Sequence, residues 1–134
     1  MASSGTKGYG SKLYYGATSG AITTPIGQIL DSNAPEEQAD DIEITNSDST
    51  AGYKEYIPGL IDGGEYSTEV IYTTAIETTL RSLVAVQKWF KLTLPDNHTY
   101  TWYGYVKSLG TSVPVNDAIK SSITIKASGK PVYA

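Results

Sequence analysis

The feature that most constrains this chain is the two-residue period of WFKLTLPDNHTYTWYGYVK, residues 89–107. Phe90, Leu92 and Leu94 alternate with Trp89, Lys91 and Thr93, the pattern of an extended strand with one apolar face. The intervening Pro95-Asp96-Asn97-His98 has turn chemistry, because Asp and Asn tolerate tight turns and hydrogen-bond their own backbone. The segment reads as an antiparallel hairpin. The same alternation runs through GEYSTEVIYT, with Tyr66, Thr68, Val70 and Tyr72 on one face and Glu65, Ser67, Glu69 and Ile71 on the other. In DDIEITN, Ile42 and Ile44 oppose Asp41, Glu43 and Thr45, which predicts a short half-buried strand. KSSITIKASGKPVY returns to β pattern near the end. One helix interrupts. Thr74-Ala75-Ile76-Glu77 fits a capping box begun by Thr74, and Ile76, Leu80, Leu83 and Val84 make one apolar stripe over about three turns. The fold class is mainly β, a β-sandwich or small barrel with one flanking α-helix and a long inter-strand loop.

The rest of the chain lacks such periods. Residues 1–20 hold five Gly and four Ser with Tyr9, Tyr14 and Tyr15, and read as a flexible N-terminal arm ahead of a single β domain over 21–134. AITTPIGQIL, residues 21–30, predicts an edge strand or a bend, since Pro25 lacks an N–H and Gly27 weakens a strand interior. NSDSTAGYKEYIPGLIDG, residues 46–63, shows neither helical nor strand period, and a loop that long is usually functional or disordered. Tyr53, Lys54, Tyr56, Ile57, Pro58, Leu60 and Ile61 are its candidate docking residues, for apolar groups beside Pro58, Gly59, Gly63 and Gly64 either fold back on the core or meet another molecule.

Composition limits the chemistry. Cysteine is absent, so no disulfide, thiolate or sulfur-ligated zinc is available. His98, the single imidazole, falls in the predicted turn, and the carboxylate pairs Glu36-Glu37, Asp40-Asp41 and Glu65 with Glu69 show no spacing that selects a catalytic pair. Asn46, Asp48 and Thr50 alternate like calcium ligands, but Ala51 stands where glycine is required and Ile57 where the closing Glu belongs. No enzymatic activity, cofactor or metal is expected. SGKP, residues 128–131, ends a strand rather than opening a helix, which removes a phosphate loop. Trp102, Tyr103 and Tyr105 with Lys88, Lys91 and Lys107 leave a weak single-strand nucleic-acid reading open. There is no apolar run of spanning length and no signal-like segment at the N-terminus, so a cytosolic protein without membrane attachment is expected. Twelve of the fourteen acids lie in residues 1–80 and seven of the ten bases in 81–134. Such a split suits copies that stack head to tail, unless folding mixes the two halves.

Taken in order, IPGLIDGGEYSTEVIY, the helix with Leu80 and Leu83, KWFKLTLPDNHTYTWYGYVKSLG and NDAIKSSITIKASGKP resemble the major tail tube proteins of long non-contractile phage tails. The resemblance covers residues 22–132 and extends to the tube proteins of contractile tails and type VI secretion. It implies a β domain with a flanking helix that forms hexameric rings stacked head to tail in a virion, after assembly in the host cytoplasm. It also implies tail terminator, tape measure and tail-tip partners, and passage of genomic DNA without tight binding. In that family the loop between early strands reaches a neighbouring ring, here residues 46–63. The family's acidic bores make Glu65 and Glu69, then Asp41 and Glu43, the candidate lumen-facing acids, since like charge removes the counterion-release gain of phosphate binding. With Ala134 directly after the closing strand, no immunoglobulin-like decoration domain is expected. The alternative is a carbohydrate- or peptide-binding β module, which predicts a stable monomer with aromatic groups along a groove.

Overall fold

The computed structural model describes residues 8–134. Ten strands and one helix follow in order: β1 (Lys12–Gly16), β2 (Thr24–Pro25), β3 (Ile29–Asn33), β4 (Gln38–Glu43), β5 (Tyr56–Asp62), β6 (Glu65–Ile71), α1 (Thr74–Leu83), β7 (Lys88–Thr93), β8 (Thr99–Ser112), β9 (Lys120–Ala127) and β10 (Val132–Tyr133). Eight of the strands form one antiparallel sheet in the order β2-β1-β7-β8-β9-β6-β3, with β10 also on β8. The sheet is bent into two layers around an apolar interior and does not close into a barrel.

The bend is made by β8. Its first half pairs with β7 and β10, its second half with β9, and the register shifts between Val106 and Ser108. The extra residue, Lys107, is a bulge, which sharpens local twist and turns the strand from one layer into the other. Period two then places Phe90, Leu92, Trp102 and Val106 inward opposite Tyr66, Val70, Ile123 and Ile125, all buried. Trp102 packs on Tyr66 and Phe90, with centroids 5.2 and 6.0 Å away. Burial of each large apolar side chain contributes about 1.5–3 kcal/mol. Leu80 and Leu83 of α1 cover the open side.

The hairpin read from the sequence is β7–β8, with Asn97 at φ +69° and the Asp96 carboxylate accepting from the His98 amide. Three expectations are corrected. Lys12–Gly16 is not part of a loose arm: it pairs along five positions with β7 and buries Leu13, which a glycine-rich surround had hidden. Residues 1–7 of the expected arm lie outside the described residues. The helix N-cap is Thr73 rather than Thr74, the Ile76 amide donating to the Thr73 hydroxyl at 3.2 Å. Finally, the long unpatterned loop is shorter than 46–63, because Tyr56–Asp62 is a strand. AITTPIGQIL behaves as expected: Pro25 sits on the outermost strand and Gly27, at φ +48°, turns the chain.

Candidate functional site

β4 and β5 pair only with each other and form a two-stranded ribbon apart from the main sheet. Register places Ile42 opposite Ile57, an aliphatic face that Ile44 extends, whereas the Ala39–Ile61 pair falls on the alternate face. That other face carries Ala39, Asp41 and Glu43 with Tyr56, Pro58 and Ile61, and Gly59 and Leu60 form a bulge opposite Asp40. Every residue of β4 is exposed, so the strand expected to be half-buried is not. Ile57, Leu60 and Ile61 are 45, 86 and 69 % exposed and do not fold back on the core. Tyr53 and Lys54 lie in the connection that follows a single 3-10 turn, Thr50–Gly52. The loop is held by its own side chains: the Glu55 amide donates to Thr45 Oγ1 at 2.8 Å, and Ser49 donates to the Glu55 carboxylate at 2.9 Å.

The ribbon is loose in its surroundings but fixed at its root. Gly64 has φ +83°, and a Cβ there would overlap the Glu36 carbonyl; one on Gly63 would overlap that of Gly129. Asp62 accepts from Lys126 Nζ at 2.8 Å and from the Gly64 amide at 2.9 Å, and these two bonds hold its carboxyl below the ordinary range. The PGLIDGGE stretch is thus a ribbon strand, a tight turn and the entry to β6.

Two outward faces flank the core. On β3, β6 and β9 the outward groups are polar, with Asn33, Ser67, Ser122 and Thr124 around Glu69 at a shallow depression of about 590 Å³ that Lys120 also lines, and with Lys126 opposite Glu65. Glu65 lies on the same face and accepts from Lys107 Nζ at 2.6 Å, a contact that raises the lysine's pKa. The four candidate acids therefore divide: Glu65 and Glu69 share this face, whereas Asp41 and Glu43 stand on the ribbon. On the other layer Tyr14, Trp89, Lys91 and Tyr103 face outward, with Lys91 Nζ 5.4 Å from the Tyr14 ring and Trp89 5.3 Å from Tyr103. Trp102 is in the core and unavailable for stacking. The outward face instead joins Tyr103 to Lys12 and to Tyr14, which the arm reading kept apart from it, although the strand parity of KLYYG could have placed them.

Residues 10–134 match the family model described as lambda phage tail tube protein, TTP. The chain belongs to that tail tube protein family. Solved structures agree in fold. The tail of an empty gene transfer agent particle, refined with C6 symmetry, superposes with a TM-score of 0.79 at 12 % identity, covering 97 % of this chain and 99 % of that one. The sheath-tube complex of an extracellular contractile injection system gives 0.73 at 16 %, covering 98 and 92 %. The SPP1 tail tube gives 0.68 at 13 %, covering 96 and 78 %. No curated protein sequence matches the chain.

Proposed function

We infer that this chain is the structural subunit of a tail tube and that its β4–β5 ribbon docks on a neighbouring copy. The observation that carries the reading is the ribbon itself: a lone two-stranded hairpin is marginal in water, and this one exposes Ile42, Ile44 and Ile57 along one side and Leu60 and Ile61 near its root. A second molecule that covers these groups supplies the packing the ribbon lacks. The six-fold symmetry of the gene transfer agent tail supports rings of six; in this reading they stack head to tail in a virion, after assembly in the host cytoplasm. Tail terminator, tape measure and tail-tip proteins are the partners expected at the tube's ends and inside it. The polar face with Glu65 and Glu69 becomes the bore, where hydroxyls and uncompensated carboxylate offer DNA no counterion-release gain.

Leu60→Asp/Ile61→Asp tests the docking. Both groups are exposed in the monomer, so the thermal melt should move by less than about 0.5 kcal/mol of stability. Burial at a contact is worth about 1.5–3 kcal/mol per group, so the contact should weaken more than about a hundredfold. The expected result is tubes from wild type and folded single subunits from the variant by electron microscopy and size exclusion. Normal tubes from the variant would refute the docking, and a wild type that stays monomeric at high concentration would favour the binding-module alternative.

A further inference from the structure

We propose that the acidic face of one copy's ribbon seats on the lysine- and aromatic-bearing face of β1, β7 and the first half of β8 in a second copy, an inference that rests on the tube-subunit reading. The strands β1, β2, β7 and β10 and residues 99–105 of β8 contain Lys12, Lys88 and Lys91 and no Asp or Glu. None of these three lysines makes an ion pair among the described residues. Residues 38–62 have the reverse character, with six acids against Lys54 alone. Of those acids only Asp62, at the root, is in an ion pair among the described residues. Both halves of a charge match are thus present and unmet among the described residues of one chain.

The pattern agrees as well as the sign. Outward on the receiving layer, Lys12 and Lys91 alternate across strands with Tyr14, Trp89 and Tyr103. On the ribbon's acidic face, Asp41 and Glu43 stand beside Pro58 and Tyr56, with Ile61 next along the strand. Antiparallel ribbon on flat sheet places carboxylates over lysines and apolar groups over rings, the arrangement in which charge fixes register and aromatic burial supplies affinity. A ring-and-lysine surface also suits a single-stranded nucleic acid, but three lysines and an overall charge of −4 give little counterion release.

Charge exchange in the full-length chain tests the contact. Lys12→Glu/Lys91→Glu and, separately, Asp41→Lys/Glu43→Lys should each raise the critical concentration for tube growth by at least about tenfold while leaving circular dichroism unchanged. An equimolar mixture of the two variants should polymerise again, because every contact in an alternating stack is then of opposite sign. If Leu60→Asp/Ile61→Asp abolishes tubes while both charge variants grow normally, this inference fails and the docking reading stands. If none of the three impairs growth, the docking reading fails as well. Binding of oligothymidylate in 0.15 M salt that is lost in Lys12→Glu/Lys91→Glu, with tube growth untouched, would overturn the proposal in favour of nucleic acid.

Discussion

Gly64 shows how much one residue decides at the ribbon root. It adopts a left-handed backbone and lies against the Glu36 main chain, so a methyl group meets both a strained φ and a rigid neighbour. Gly64→Ala should cost about 1–3 kcal/mol, read as a lower thermal midpoint in the monomer; an unchanged melt would show that the root yields. The glycine pair was visible in the sequence because few other residues permit so sharp a turn. Its reason was not, since Glu36 approaches only after β4 and β5 have folded out between them. Tyr66 makes a similar point: its face followed from alternation, but the Ser32 hydroxyl that accepts its proton at 2.9 Å comes from a different strand.

Among the elements, α1 carries the clearest electrostatic device. Burial pushes the Glu77 carboxyl upward, but together the bonds from Arg81 Nε at 2.8 Å, Ser121 at 3.1 Å and Thr111 outweigh it and leave the pKa below the ordinary glutamate value. The folded state then binds this proton less readily than the unfolded chain. Its contribution is complete above the unfolded value and is lost as pH falls through the folded one, so stability should decline as the pH is taken from about 5 toward 3. In Glu77→Gln that decline should be shallower, measured by denaturant midpoints across the pH series; an identical slope would remove the assignment. The helix was legible from its apolar stripe, but the Thr74 to Glu77 spacing misplaced its cap: Glu77 is engaged by Arg81 and Ser121, and the Thr73 hydroxyl caps instead. For β4 the alternation was legible and its burial was not, because period two does not say whose molecule covers the apolar face. β5 escaped notice because Pro58 and Gly59 break its pattern. The strand accommodates them where the register slips between Ala39 and Asp41, a bulge that excuses a missing N–H, with Gly59 close over Asp40 and Ile42.

For the whole molecule, folding mixes part of the charge split, pairing Lys107 with Glu65 and Lys126 with Asp62, yet leaves three distinct surfaces: an acidic ribbon, a lysine-bearing layer and a hydroxyl-rich layer. If the last of these lines the bore, Glu69→Lys should place a cation where each subunit now has an exposed carboxylate. Assembled tubes of this variant should retain duplex DNA in 0.15 M salt that wild-type tubes release, with binding weakening steeply as salt rises; equal release would exclude Glu69 from the wall. The course of β8 matters at the same scale. Fourteen residues of unbroken backbone cross from one layer into the other at Lys107, so sliding the layers past each other would require stretching covalent bonds or tearing the ladders on both sides. Each subunit is therefore stiff against shear, and a cylinder made of such pieces bends where copies meet, not within them.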